Sequence, residues 1–193
     1  MHTSGLSLTQ LAHNTAAPLL QDGDFAVDAT AGNGHDTVFL ASAVGPSGHV
    51  CAFDVQQAAL DATRARLEKA GLTDRVTLIA AGHETIPAHL PPDWKGTVAA
   101  VLFNLGYLPG GDHSIITRSK TTLPALHAAI TWLRPGGLLS VLVYPGHPGG
   151  ADEAQAVRRE LENLKTQGKT EAHACHGDPS SETHPWLFTG NKL

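Results

Sequence analysis

The sequence contains little of what several protein classes require. Only two of its 193 residues are cysteine, Cys51 and Cys175, which are too few for a disulfide framework. The most apolar windows, 98–108 and 138–144, are too short to cross a bilayer, and no signal-peptide pattern precedes them, so we expect a cytoplasmic protein with no membrane partner. Lysine and arginine total 13 against 18 aspartate and glutamate, and the formal charge of −5 argues against indiscriminate coating of nucleic acid.

Three residue types are plentiful instead: 20 glycines, 12 prolines and 12 histidines. With 41% hydrophobic and 16% charged residues, the composition is that of a globular protein with many tight turns. The length predicts one domain over 1–193, with an N-terminal helix in 1–22, a cofactor-binding and catalytic core in 23–150, and a C-terminal helix with edge strands in 151–193.

Apolar runs alternate with helix-like segments, which indicates an α/β fold with a mostly parallel sheet and helices on both faces. A turn at 134–137 is expected to introduce the fifth strand, and the tail from about residue 170 is expected to add one or two antiparallel edge strands. The predicted strands are 25–29, 50–54, 76–80, 97–102 and 138–144, and the predicted helices are 6–20, 35–43, 56–70, 121–133 and 153–164.

The strongest local pattern is a strand that runs into a glycine turn containing Gly32 and Gly34 and then into a helix. Such a turn lets a ligand approach the backbone, and Asp54 at the end of the next strand has the position of a carboxylate that binds ribose hydroxyls. A dinucleotide fingerprint needs Gly or Ala where Thr37 stands, and Asp28 suits a cationic amino group. S-adenosylmethionine therefore fits better than a nicotinamide dinucleotide, and an NAD-dependent oxidoreductase is the competing interpretation from a different enzyme class.

Four segments carry a family resemblance: 28–37 (DATAGNGHDT), 53–56 (FDVQ), 104–112 (NLGYLPGGD) and 144–150 (YPGHPGG). Together they resemble the S-adenosylmethionine-dependent methyltransferases of the Rossmann-like class I fold. Within that class they are most similar to a small family once labelled putative rRNA methylase and now associated with the tRNA wobble uridine. The resemblance extends from about residue 12 to residue 164 and leaves the tail unmatched.

This resemblance implies N-methylation of the 5-aminomethyl group of 5-aminomethyl-2-thiouridine at the wobble position, giving 5-methylaminomethyl-2-thiouridine. It implies S-adenosylmethionine as cofactor and the tRNA anticodon loop as partner. The same cofactor-binding half would also serve an rRNA methyltransferase or a small-amine N-methyltransferase, and a non-catalytic RNA-binding module could keep the same fold. The cofactor contacts expected on this basis are Asp28, Gly32, Asn33, Gly34, Asp36, Asp54, Gln56 and His83.

Four residues at the ends of the fourth and fifth strands are the catalytic candidates: Asn104, Tyr107, Tyr144 and His147. Asn104 would accept a hydrogen bond from the target amine, and Tyr107 would pack on the base. His147, with Tyr144 beside it, would accept the amine proton or orient the amine, since the carboxyl ends of parallel strands collect the chemistry of α/β proteins.

The glycine-rich loop after the fourth strand is the expected basic rim for RNA. Because this rim has few positive charges, a homodimer in which a second subunit completes the rim is left open. No metal is expected, because the histidines and cysteine of the tail lack a second ligand pair at zinc-site spacing. His35 and His113 are expected near the site, and the histidines not named so far are expected on the surface. The expected substrate contacts are Asp112, His113, Arg118 and Lys120.

Overall fold

The computed structural model describes residues 5–193, so the first four residues of the predicted segment 1–22 lie outside it. The strands are β1 (Phe25–Asp28), β2 (His49–Asp54), β3 (Val76–Ala80), β4 (Val98–Leu105), β5 (Leu133–Val143), β6 (Thr170–His176) and β7 (Trp186–Lys192). The helices are α1 (Leu8–Ala16), α2 (His35–Ala43), α3 (Gln57–Ala70), α4 (Ile86–His89), α5 (Ser119–Trp132) and α6 (Gly150–Thr166).

The seven strands form one sheet in the order β3-β2-β1-β4-β5-β7-β6. The pairs among β1 to β5 are parallel, whereas β7 is antiparallel to both β5 and β6. The expected mostly parallel sheet with an antiparallel C-terminal edge is confirmed. The chain goes from β1 outward to β3 and then returns to β4 on the other side of β1, and this reversal opens a crevice at the carboxyl ends of β1 and β4.

Helices cover both faces of the sheet because successive strand residues point to opposite sides. Val27 and Phe103 face the layer that contains α4, α5 and α6, whereas Ala26 and Leu102 face α2 and α3. Helix α1 packs on this second face, where its Ala12 meets Leu142 of β5 and Leu187 of β7. On α3 the buried residues lie on one face of the helix, and they are Ala59, Leu60, Thr63 and Leu67.

Of the element boundaries that differ from prediction, three bear on the turns and on the site. Helix α1 ends at Ala16, and a 3-10 turn with Pro18 in its first positions follows, because proline has no N–H to extend the α-helical ladder. Strand β4 continues to Leu105 and so includes Asn104. The segment 134–137 is a register irregularity inside β5 rather than a turn before it, with Gly136 at φ +74°.

No helix within residues 5–193 combines the length and the apolar character that crossing a membrane would need.

Candidate functional site

A cavity of about 1090 Å³ opens where the carboxyl ends of β1, β2, β4 and β5 meet. Its walls come from the glycine turn after β1, from α1, from the loop between β4 and α5, and from the segment after β5. It therefore lies in the crevice at which α/β sheets bind ligands.

The glycine turn and Asp54 form one hydrogen-bonded unit at the floor of the cavity. Gly32 and Gly34 have φ of +51° and +80°, and a Cβ on Gly34 would lie 2.8 Å from Cα of Thr63, so glycine is required for α3 to pack closely. The Asp54 carboxylate accepts the N–H groups of Gly32 and Gln56, both at 2.9 Å, and lines the cavity. Each of its oxygens keeps a lone pair, as binding of two ribose hydroxyls requires.

Asp28 lies behind this turn and does not line the cavity. Its fully buried carboxylate accepts the Thr37 hydroxyl at 2.6 Å and the Thr30 N–H at 3.1 Å. Burial, followed by the nearby Asp36 carboxylate, raises its pKa to about 7. The expectation of a direct cofactor contact is corrected, because these hydrogen bonds hold the side chain inward.

Of the other predicted cofactor residues, Gly34 does not border the cavity, because it packs against Thr63 of α3, whereas four do border it. His83 is buried, with its ring edge toward Phe103 at a centroid distance of 5.6 Å, and burial lowers its pKa, so the imidazole is neutral. Those that border the cavity beside Gly32 and Asp54 are Asn33, Asp36, Gln56 and His83.

Asp36 joins two side chains that are far apart in the sequence. His13 of α1 contacts Asp36 Oδ1 through Nε2 at 2.6 Å, and Asn104 of β4 donates from Nδ2 to Asp36 Oδ2, also at 2.6 Å. The expectation that His13 is a surface histidine is wrong, since it borders the cavity with its side chain only 23% exposed. From the sequence one can predict only that Thr9 and His13 lie one turn apart on the polar face of α1. The contact of His13 with Asp36, 23 residues away, cannot be predicted in this way.

The mouth of the cavity is lined by the other catalytic candidates. The rings of Tyr107 and His147 meet edge to face at 5.6 Å. Nδ1 of His147 lies 3.3 Å from the carbonyl oxygen of Pro148, which only accepts, so Nδ1 carries the proton. Nε2 of His147 is buried close to Gly150 and has no hydrogen-bond partner within residues 5–193. Tyr144 is 40% exposed beside it, and partial burial raises its pKa.

The loop between β4 and α5 divides the predicted RNA contacts into two pairs. Arg118 and Lys120 line the cavity, whereas Asp112 and His113 do not. The exposed Asp112 carboxylate accepts the Ser114 N–H at 2.8 Å, which stabilises a local turn, and His113 packs on the outer side of Tyr107 at 4.2 Å. Asp112 and His113, predicted as substrate contacts, thus lie outside the cavity and make contacts within the loop.

Within the part of the chain that the structure describes, no cluster of three or more histidine, cysteine, aspartate or glutamate side chains has the geometry to hold a metal ion. His35, expected near the site, borders the cavity at the start of α2.

Comparisons with known proteins give one family and several relatives. The model of the family described as "Putative rRNA methylase" matches residues 50–187. A tRNA (mnm(5)s(2)U34)-methyltransferase, chloroplastic, from Arabidopsis thaliana is 43% identical over 157 residues, which are 77% of this chain and 57% of that protein. The chain spans about half of the length of the curated relatives that it matches.

Two solved structures are similar over nearly their whole length. A "putative rRNA-methylase" from Clostridium thermocellum is 38% identical with a TM-score of 0.88, covering 97% of this chain and 98% of its own. A "putative methyltransferase" from Streptococcus mutans, solved in complex with SAH, is 35% identical with a TM-score of 0.83, covering 97% and 99%.

Proposed function

Because this chain belongs to the family described as "Putative rRNA methylase" and has the Rossmann-like class I methyltransferase fold, we propose that it is an S-adenosylmethionine-dependent methyltransferase. We propose as its reaction N-methylation of the 5-aminomethyl group of 5-aminomethyl-2-thiouridine at the tRNA wobble position, giving 5-methylaminomethyl-2-thiouridine. The observation that carries this proposal is the cavity itself, because one cavity is lined by Asp54, whose carboxylate can bind ribose hydroxyls, and by Asn104 and His147, which can bind an amine.

The residues at the floor of the cavity fit the cofactor. Asp54 has lone pairs available for two ribose hydroxyls, and the turn at Gly32 leaves no side chain between the backbone and the cavity. The neutral ring of His83 and the exposed side chain of Val55 border the volume next to Asp54, where an adenine would pack. Asp36, rather than the inward-facing Asp28, supplies the negative charge for the cationic amino group of S-adenosylmethionine.

When bound, S-adenosylmethionine supplies a methyl group on a positively charged sulfur, so the protein's own contribution is to position and deprotonate the amine. An alkyl amine has a pKa near that of lysine, about 10, and at neutral pH it arrives as an ammonium group. We assign His147 Nε2, which has no hydrogen-bond partner within residues 5–193, to take its proton. Asn104 then holds the nitrogen through its amide oxygen, and Tyr107 packs on the base.

A tRNA anticodon loop suits a protein of this charge. A wobble base is already single-stranded, so its transfer into a pocket costs less than extraction of a paired base. Exposed aromatic rings at Tyr107 and Tyr144 offer stacking surfaces, while Arg118 and Lys120 offer contacts to phosphate. Support also comes from the Arabidopsis relative, whose name states a tRNA wobble uridine methyltransferase.

The deciding experiment is transfer of labelled methyl from S-adenosylmethionine to tRNA from a strain that lacks this methylation and accumulates 5-aminomethyl-2-thiouridine. Nucleoside mass spectrometry then identifies the product. We expect 5-aminomethyl-2-thiouridine to be consumed and 5-methylaminomethyl-2-thiouridine to form in equal amount. Label in rRNA only, or in a free small amine only, would overturn the tRNA assignment. Calorimetric binding of NAD without binding of S-adenosylhomocysteine would overturn the methyltransferase assignment.

A further inference from the structure

Helix α1 places one of its faces in the wall of the cavity. It starts with a capping box, in which Gln10 N–H donates to Ser7 Oγ at 3.2 Å and Ser7 N–H donates to Gln10 Oε1 at 2.8 Å. Thr9 and His13, one turn apart, both border the cavity. The helix is therefore built and docked so that a fixed pair of polar side chains faces the site.

His13 is held in a single orientation. Its ring stacks on Phe39 of α2 with a centroid distance of 4.0 Å and an interplanar angle of 7°. Its Nε2 lies 2.6 Å from Oδ1 of Asp36, a buried residue whose other oxygen contacts Asn104 Nδ2 at the same distance. An ionised carboxylate only accepts hydrogen bonds, so both the imidazole and the amide must donate to it.

This arrangement determines which end of the Asn104 amide faces the cavity. Since the NH₂ group is used by Asp36, the remaining polar atom is Oδ1, which is an acceptor. An amine that brings N–H groups to the site needs an acceptor. If Asp36 swung away, the Asn104 amide would be able to rotate and present its NH₂ group, which repels the protons of the amine.

We propose that His13 is a positioning residue of the methyl-transfer reaction. By binding one oxygen of Asp36, it fixes the other oxygen on Asn104 and thereby keeps Asn104 Oδ1 directed at the target amine. This inference rests on the proposed function for the amine, whereas the contact between His13 and Asp36 is a property of the structure itself.

Two substitutions test separately the hydrogen bond that His13 donates and the stacking of its ring. H13F keeps the stack on Phe39 and removes the donor, while H13Q removes the ring and keeps an N–H group near the position of Nε2. We expect H13F to lower kcat for tRNA methylation about 10- to 100-fold. KM for S-adenosylmethionine should rise much less, by at most about threefold, because H13F leaves the carboxylate of Asp36 in place. We expect H13Q to restore kcat to within about threefold. The matched control is H127F, which removes a surface histidine paired with Glu160 at 3.0 Å and should leave both constants unchanged.

A measurement without turnover tests the same contact. In ¹⁵N-edited NMR spectra with S-adenosylhomocysteine bound, the two side-chain amide protons of Asn104, identified by their absence in N104D, should be well separated and slow to exchange in wild type. They should collapse toward ordinary asparagine positions in H13F and return in H13Q. Unchanged Asn104 signals in H13F, equal kcat losses in H13F and H13Q, or a parallel loss of S-adenosylhomocysteine affinity would overturn the proposal. A wild-type protein that leaves tRNA unmethylated overturns the proposed function instead, and the NMR comparison then decides the role of His13 alone.

Discussion

Among single residues, Asp28 combines complete burial with a pKa raised to about 7. The native protein therefore retains a proton that the unfolded chain, with its ordinary aspartate pKa of 3.8, has already released. Between about pH 4 and pH 7 the native state binds more protons than the unfolded state, so the free energy of unfolding falls as pH rises.

We expect D28N to flatten this dependence. Asparagine keeps an oxygen for the Thr30 N–H and is neutral at every pH, so the contribution of at most about 1.4 kcal/mol per pH unit disappears. Urea unfolding at pH 5, 6, 7 and 8 measures it, with D61N on the exposed side of α3 as control. Parallel curves for wild type and D28N would show that Asp28 is already ionised at pH 5.

His147 is the residue on which turnover should depend most directly. Its Nε2, unpartnered within residues 5–193, is the acceptor proposed for the amine proton, and His147 is not among the residues proposed to bind the cofactor. We expect H147A to lower kcat about 10²- to 10⁴-fold while the Kd for S-adenosylhomocysteine stays within about twofold, as kinetics and calorimetry would measure. Equal losses in both quantities, or no loss in either, would contradict this role.

The sequence locates most site residues but not their orientations. The glycine turn, Asp54 and His147 can be predicted because strand ends and turn residues have recognisable spacing. The inward orientation of Asp28 and the contact of His13 with Asp36 cannot, because each depends on hydrogen bonds between elements that meet only in the folded chain.

At the scale of elements, the loop between β4 and α5 is closed by one threonine. The Thr117 hydroxyl accepts the Gly106 N–H at 2.8 Å and donates to the buried Glu153 of α6 at 2.6 Å, and Thr117 N–H donates to the Gly106 carbonyl at 2.9 Å. Both ends of the loop that contains Tyr107 and Arg118 are thus fixed to each other and to α6.

We expect T117V to loosen this loop, because valine has the shape of threonine but leaves the Gly106 N–H and one Glu153 oxygen without partners. Unfolding free energy should fall by about 1–3 kcal/mol, and KM for tRNA should rise while S-adenosylhomocysteine affinity stays the same. Chemical denaturation and steady-state kinetics test this, with T131V on α5 as control, since the Thr131 hydroxyl bonds only its own helix. Unchanged KM for tRNA would show that the loop does not depend on this clamp for binding.

Element types are more predictable than element ends. Runs of apolar residues identify the first five strands because helices cover both faces of the sheet, and helical periodicity identifies α3 because it buries one face. The Pro-Gly-Gly sequence within 134–137 predicts a turn, yet pairing with β4 keeps this segment within β5 as an irregularity. Tertiary pairing decides that boundary, and local sequence carries no information about it.

For the whole molecule, the net charge of −5 limits how RNA can be held. Two basic side chains, Arg118 and Lys120, line the cavity, so few counterions are released on binding. We expect a shallow salt dependence, with log K against log [salt] having a slope of about −1.5 for an anticodon stem-loop. Fluorescence anisotropy between about 50 and 300 mM KCl measures this slope, with R118A/K120A expected to bring it close to zero. A slope steeper than about −4 would contradict a two-residue rim and indicate a basic surface shared between subunits.

The strand order has a consequence for the time course of synthesis. Helix α1 packs on β5 and β7, and β6 has β7 as its neighbour in the sheet. Both α1 and β6 are translated before β7, so neither can make its final contacts until Trp186–Lys192 has been synthesised. Such long sequence separation slows folding and leaves α1 and β6 exposed on the ribosome. A nascent chain without β7 therefore has the glycine turn, but α1 and its His13 are not yet docked in the wall of the cavity. We expect the proposed methyl transfer to begin only after β7 has left the ribosome.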